Sequence, residues 1–559
     1  MVNRGPSRGC ITCKKRRVKC DETKPSCKAC NRVGRECAGY KKQPVRLRFK
    51  DETSRCVDKF KQSDQTTTGI ITEQKVSKFP EARGLSASLL PKQQDAATAF
   101  FLTYVTDIGR NMESTRGFLE LVRPILATES HDSALSAAVN ATSIKLWTLL
   151  QPTGVKSSLP IKLYSQALVK LQKAVYSPEE QGKDATVIAA LMLQQCDTLA
   201  AIFGHNKSDT THRKGALALL TQDGMGKFKY HGHLLGNLFH SKISFCVRHK
   251  VPLTEGELDW VQTKIIPALP ANPSYSLDII GVSVSKLQTV ANRSASPKLE
   301  TSLAALQELS SIICEVEAQL QAWLQTVPEI WHPRTIQAKN IIATGIATYD
   351  GSVDVYPSIQ IANIWNMWRI YRLIVEQVKA NLFNNLLTEN KLPKTQKSQE
   401  TEGLVKSICR SIPFYLGNCS KPVSFTDIND QKLYFPCFHD LLPTDETFIA
   451  YKKSNHYVSR IDHNRHNVIH GPIAALSVMS SLIRLFDEHS SPLLSAEDEL
   501  QRQKQWIYGQ FRRSIHLMRF IHDKHDETGG LYREFRNGET MHGRLTNAIR
   551  QALCTVNLL

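Results

Sequence analysis

Six of the chain's 14 cysteines fall in its first 37 residues, at Cys10, Cys13, Cys20, Cys27, Cys30 and Cys37; the other eight scatter between Cys56 and Cys554. Their spacing is C-x2-C-x6-C-x6-C-x2-C-x6-C, so adding 17 to the first three positions gives the last three. One unit is repeated twice, and a pseudo-twofold site is expected. Each x2 pair can clamp one ion from the start of a short helix, while the cysteine seven residues later returns from the following loop to the same ion. One half then offers three sulfurs where tetrahedral zinc takes four. Two ions on six cysteines need eight coordination places, which closes if two thiolates each bridge both metals. The deficit selects a binuclear cluster with two Zn²⁺ per chain.

Two Zn²⁺ and six thiolates sum formally to −2, a charge that neighbouring Lys and Arg offset while keeping the thiolates deprotonated. A segment of about 40 residues is too short to bury a core, so metal is expected to supply its folding free energy. Positive charge is concentrated in the same place. Residues 1–50 hold 16 Lys and Arg against three Asp and Glu, giving +13 of the chain's net +19. Cations at that density suit a polyanion, because neutralising phosphates releases condensed counterions. A solvated basic tail has the same composition.

The whole chain is 559 residues, 41% hydrophobic and 22% charged, which excludes a wholly disordered or collagen-like protein and suits one small module plus one large domain. No run of 18 apolar residues occurs, so no membrane partner is expected. Met1 to Pro6 lack the apolar stretch of a secretory signal, which implies a reducing compartment and no disulfides.

The run Gly9-Cys10-Ile11-Thr12-Cys13-Lys14-Lys15-Arg16-Arg17-Val18-Lys19-Cys20-Asp21-Glu22, then Lys24-Pro25-Ser26-Cys27 and Gly34-Arg35-Glu36-Cys37, resembles the fungal Zn2Cys6 binuclear-cluster transcription factors. The resemblance implies a nuclear, zinc-dependent, sequence-specific regulator of RNA polymerase II genes. It implies that the first and fourth cysteines, Cys10 and Cys27, bridge the metals. Cys13 and Cys20 then complete one zinc site, Cys30 and Cys37 the other. It also implies that the first short helix meets the major groove, where the basic residues three and four positions before the third cysteine, Arg17 and Arg16, reach guanine edges of a CGG triplet. Many relatives carry lysine there, but the arginine fork bonds guanine O6 and N7 together. Lys14, Lys15 and Lys19 are expected on phosphates.

A zinc knot that only staples a protein-recruiting module is the competing reading. Five of the six residues between Cys13 and Cys20 are basic, whereas Cys30 to Cys37 encloses only Arg32 and Arg35, beside Glu36. A staple needs no such asymmetry. The partners expected are therefore double-stranded DNA and the transcription machinery or co-regulators, with a small-molecule effector and a homodimer left open. The alternative is a helical effector-sensing or protein-recruiting scaffold whose zinc module is structural.

The expected fold is a small metal-nucleated Zn2Cys6 domain over residues 1–40 and a large all-α domain over 96–559, joined by a flexible linker over 41–95. Tyr40 to Lys50 is basic enough to track phosphates or to direct nuclear import. Beyond it the linker is rich in Thr, Ser and Gln, with no heptads to form a coiled coil. From residue 96 the apolar spacing is helical. Ala185 to Phe203 reads as a buried central helix ending at Gly204. Leu299, Leu306, Ile313, Leu320 and Val327 recur every seven residues; the stripe is expected against its own domain, with a coiled coil as the competitor. Ala362 to Arg372, with Trp365 and Trp368, reads as a core helix.

His212 to Leu220, the Trp365 helix, Ile408 to Gly417 and Gln505-Trp506-Ile507 more loosely resemble the helical regulatory domain of these factors. That resemblance implies effector sensing and partner binding, and transfers no ligand residue. His463, His466 and His470 would share one helix face with Asp462 nearby, but Asn464 and Asn467 weaken a helix, so solvated loop histidines are expected. His231 and His233 carry less weight still as metal ligands. No phosphate-cradling Gly loop, G-x-S-x-G or H-E-x-x-H occurs in usable context, and no enzyme is expected.

Overall fold

The computed structural model describes residues 10–23, 25–39, 92–107, 109–114, 116–150, 158–202, 210–221, 228–294, 303–341, 343–386, 395–422, 427–487 and 498–518. The expected linker, apart from its last four residues, lies outside them, as do Phe203, Gly204 and Leu299. The chain divides into two compact units, Met1–Val76 and Ser77–Leu559.

The first unit contains two short helices, α1 (Ile11–Lys15) and α2 (Lys28–Asn31). Helices of five and four residues are far too short to persist by backbone bonding alone. What they enclose is sulfur: the buried cluster is Cys10, Cys13, Cys27 and Cys30, with Cys20, Ala29 and Cys37 packed on it.

The second unit is mainly helical. Its first part runs α3 (Gln93–Phe100, winding on as a π turn through Phe101–Asp107), α4 (Leu119–Leu126), α5 (Ala134–Leu150), α6 (Leu159–Tyr176), α7 (Asp184–Ile202) and α8 (Thr211–Leu220). Helix α5 packs on α6 and α7. Every residue from Ala185 to Cys196 in α7 is buried, as its all-round apolar sequence requires.

The rest comprises α9 (His231–His249), α10 (Glu255–Trp260), α11 (Pro273–Ser294), α12 (Leu303–Thr326), α13 (Ile359–Leu386), α14 (Thr395–Leu416), α15 (Glu446–Lys453), α16 (Arg460–Asp487) and α17 (Asp498–Leu517). Ile313, Leu320 and Val327 of the seven-residue stripe are buried and Leu306 is half-buried; Leu309, Val316 and Trp323 beside them are buried too, and α12 packs against α11 and α13 of the same unit. Trp365 is buried, with its indole N–H donating to Trp331 O at 2.7 Å and its ring edge-on to Trp323. It belongs to the core.

A two-stranded antiparallel hairpin interrupts the helices. Strand β1 (Arg334–Gln337) pairs with β2 (Ser352–Val355), Thr335 opposite Asp354 and Ile336 opposite Val353. Asp350 and Gly351 turn the chain at φ of 50° and 72°. All four β2 residues are buried; Ser352, Val353, Asp354 and Val355 alternate polar and apolar, but over only four residues, the shortest run that suggests a strand. Arg369 pins it to α13, donating to Tyr356 Oη at 2.7 Å and Asn366 Oδ1 at 2.8 Å, with Asp354 Oδ2 at 3.5 Å. Asn366 in turn donates to Ser411 Oγ and Tyr415 Oη of α14.

Helix α16 corrects two expectations. His463, His466 and His470 lie on a helix and are buried, not in a solvated loop. The helix-weakening asparagines are tied to neighbours: Asn467 Nδ2 lies 2.7 Å from His463 Nε2, and Asn464 Nδ2 donates to Leu433 O at 2.9 Å. Side-chain bonding and burial outweigh a propensity of a few tenths of a kcal/mol. The same helix is also long and apolar enough to cross a membrane, but 72% of its most apolar window is buried inside the unit.

Candidate metal centre and nucleic-acid interface

Cys10 and Cys27 are the N-caps of α1 and α2, and each sulfur accepts the N–H three residues on, from Cys13 at 3.2 Å and Cys30 at 3.3 Å. The helix start thus turns both sulfurs of each x2 pair inward. The 17-residue repeat extends to the backbone. Val18 N–H bonds Cys13 O as Arg35 N–H bonds Cys30 O, and Arg17 N–H bonds Lys14 O as Gly34 N–H bonds Asn31 O. Left-handed φ recurs too, at Arg17 (58°) and Gly34 (61°), then Glu22 (59°) and Gly39 (68°).

Cys10 Sγ and Cys13 Sγ each lie 3.6 Å from Cys27 Sγ and 3.7 Å from Cys30 Sγ. Zinc bound tetrahedrally at Zn–S of about 2.3 Å puts its sulfurs about 3.8 Å apart, so the donor set fits zinc. Two four-sulfur groups have all members within 4.8 Å of one another: Cys10, Cys13, Cys20 and Cys27, and Cys10, Cys27, Cys30 and Cys37. Cys10 and Cys27 stand in both. Burial pushes the Cys13 thiol up to about 12 and the Cys27 thiol above its ordinary range. The N–H groups of Cys27 and Gly39 draw Cys37 below it. Zinc that binds here displaces thiol protons, so loading is coupled to pH.

Asp21 joins the halves, a role the spacing did not reveal. Its carboxylate accepts the Lys28 N–H at 3.0 Å and the Ala29 N–H at 2.9 Å, at the start of α2. The Thr23 hydroxyl, then these N–H groups, hold it well below the usual carboxylate range. Around α1, Ile11 N–H donates to Gly39 O at 2.9 Å, and Thr12 Oγ1 links Glu36 O with Ala38 N–H. An acidic residue directly after a ligand cysteine, in an otherwise basic stretch, was the available signal.

Helix α1 ends at Lys15, with Arg16 as its C-cap and Arg17 one residue beyond in left-handed backbone. Lys14, Lys15, Arg17 and Lys19 are exposed. Arg16 is half-buried, and its buried Nη1 has no hydrogen-bond partner among the described residues. The two arginines named for base contact therefore differ: one projects freely, the other lies partly against the module.

A family model, that of the fungal Zn(2)-Cys(6) binuclear cluster domain, matches residues 8–47. The transcriptional regulatory protein moc3 of Schizosaccharomyces pombe is 62% identical over 32 residues, 6% of each chain. White-opaque regulator 2 of Candida albicans is 46% identical over 54 residues, 9% of this chain and 12% of that protein. The aspercryptin biosynthesis cluster-specific transcription regulator atnN of Emericella nidulans is 62% identical over 32 residues, 6% of this chain and 5% of its own. The likeness thus spans no more than 12% of these curated relatives' length. No solved structure matches the chain.

Proposed function

We propose, starting from an amino-terminal segment that is a fungal Zn(2)-Cys(6) binuclear cluster domain, that the protein is a nuclear, sequence-specific DNA-binding regulator of RNA polymerase II genes. Cys10 and Cys27 bridge two Zn²⁺, Cys13 and Cys20 complete one tetrahedron, and Cys30 and Cys37 the other. Arg17 reads guanine of a CGG-type triplet through O6 and N7, and Arg16 swings its Nη1 toward the same step. Lys14, Lys15 and Lys19 hold phosphates and set the register. The helical unit supplies contacts to co-regulators.

The observation that carries this reading is an exposed cationic stretch, Lys14, Lys15, Arg17 and Lys19, fixed at its base by Cys13 and Cys20. A module that served only as a staple would gain nothing from cations gathered on one of two equivalent halves. The test is fluorescence anisotropy of the full chain on a CGG-bearing duplex. Zinc-dependent binding is expected, with log K falling against log salt at about 0.9 per phosphate contact. Equal affinity for a scrambled duplex contradicts the reading and favours a structural zinc module.

A further inference from the structure

The helical unit contains a cavity of about 120 Å³ between α9, α13, α16 and the segment carrying Arg116. A cavity of roughly 150 Å³ holds benzene, so this one suits a molecule of about five or six heavy atoms. Its wall is mixed, with Val247, Met367, Ile370, Ile473 and Val478 beside polar side chains. Arg116 and Arg248 both line it. Arg116 is already held, its Nε donating to Ser274 Oγ at 2.6 Å and standing 3.7 Å from the buried Asp278 carboxylate, so Arg248 is the cation whose charge faces the cavity, which has no carboxylate among its lining residues.

Gln360 gives the strongest sign of a missing partner. It is 3% exposed, it lines the cavity, and neither Oε1 nor Nε2 has a hydrogen-bond partner among the described residues. A buried amide left with its donor and its acceptor both unused is costly. His240 adds an oriented acceptor. Its Nδ1 lies 2.7 Å from Asp278 Oδ1, whose side chain is fully buried, so Nδ1 carries the proton and Nε2 is left with a lone pair. Nε2 stands 3.5 Å from Ser244 Oγ, and both residues line the cavity. Burial lowers the histidine's proton affinity and keeps the ring neutral. Arg248 is steadied by Ser477, with Nη2 to Oγ at 2.8 Å. Ser244, Arg248 and Ser477 are half-buried while Gln360 and Arg116 are buried, so the rim gives access to a sealed floor.

We propose that this cavity binds a small hydroxycarboxylate, its carboxylate on Arg248, its hydroxyl donating to His240 Nε2, and its remaining polar edge on the Gln360 amide. Two guanidinium groups against the single Asp278 carboxylate leave the surroundings net positive and disfavour a cation, and a purely apolar guest would leave Gln360 without a partner. Water alone is the competing occupant. The inference is independent of the DNA-binding reading, since it rests on residues of the helical unit alone.

The test is saturation-transfer difference NMR on the full zinc-loaded chain, with glycolate and lactate as probes and glycolamide, uncharged at the carboxyl end, as control. Saturable glycolate or lactate binding is expected, with glycolamide weaker by at least about tenfold. Arg248→Met and Gln360→Leu should each weaken glycolate about tenfold while the far-ultraviolet circular dichroism is kept. The glycolate–glycolamide contrast needs no variant, so a variant that misfolds leaves the test intact. No saturable signal from either acid, or equal binding of glycolamide, overturns the proposal and assigns the cavity to water.

Discussion

In the amino-terminal module the buried interior is four cysteine side chains, whereas in the helical unit it is mainly leucine, isoleucine, valine and aromatic side chains, with polar groups such as Asn366, Arg369 and Gln360 buried among them. The module's helices carry one buried residue each, Cys13 and Cys30, so nothing apolar holds them once metal is removed. Helix α16 buries most of its residues from His463 to Phe486, with Ile473 to Leu476, Leu482, Ile483, Leu485 and Phe486 among them. The same residues therefore specify fold and chemistry in the module. In the helical unit those two duties fall on different residues.

Metal removal sharpens that contrast most. A chelator should strip both zincs, take with them a folding contribution of about 10 kcal/mol or more, and abolish DNA binding. The calorimetric transition of the helical unit should stay in place. A shift of that transition would mean the two units do not fold separately. Next in size, Arg369→Met should destabilise the helical unit by about 3–5 kcal/mol, because Asp354 is left buried without its cation. Zinc content should remain at two per chain, measured by elemental analysis.

Base reading gives the next effect. Arg17→Ala should cost about 1–3 kcal/mol on the CGG duplex and little on scrambled DNA. Lys14→Ala should weaken both alike and lower the salt slope by about one. A uniform loss for Arg17→Ala would place that residue on phosphate.

The smallest effect tests the repeat itself. Gly34 has left-handed backbone, and a Cβ added there would meet nothing within 4 Å, so Gly34→Ala should cost only the backbone penalty, about 1 kcal/mol. Arg17→Gly should relieve a similar amount, read as a change in zinc-dependent stability while DNA selectivity falls.

The sequence made the module legible because six cysteines at a 17-residue offset leave few ways to satisfy two metals. The backbone offset of Arg17 and Gly34 was hidden, since arginine in left-handed backbone gives no signal. Helix α7 and the stripe ending at Val327 were readable from periodicity. Strand β2 was not, because its polar–apolar alternation lasts only four residues, Ser352 to Val355. The histidines of α16 were misplaced because Asn464 finds its partner at Leu433, in a preceding segment, and Asn467 finds its own one turn back at His463. The cavity was invisible for a similar reason: Arg116, His240 and Gln360 are far apart in sequence and meet only through packing.

Native mass spectrometry of the intact chain, compared with Cys27→Ser and Cys37→Ser, addresses the bridged cluster most directly. Two zincs on the parent chain are predicted, with Cys27→Ser losing hold of both ions and Cys37→Ser weakening only one. A single zinc on the parent chain, or two zincs kept by Cys27→Ser, would contradict the shared-sulfur arrangement.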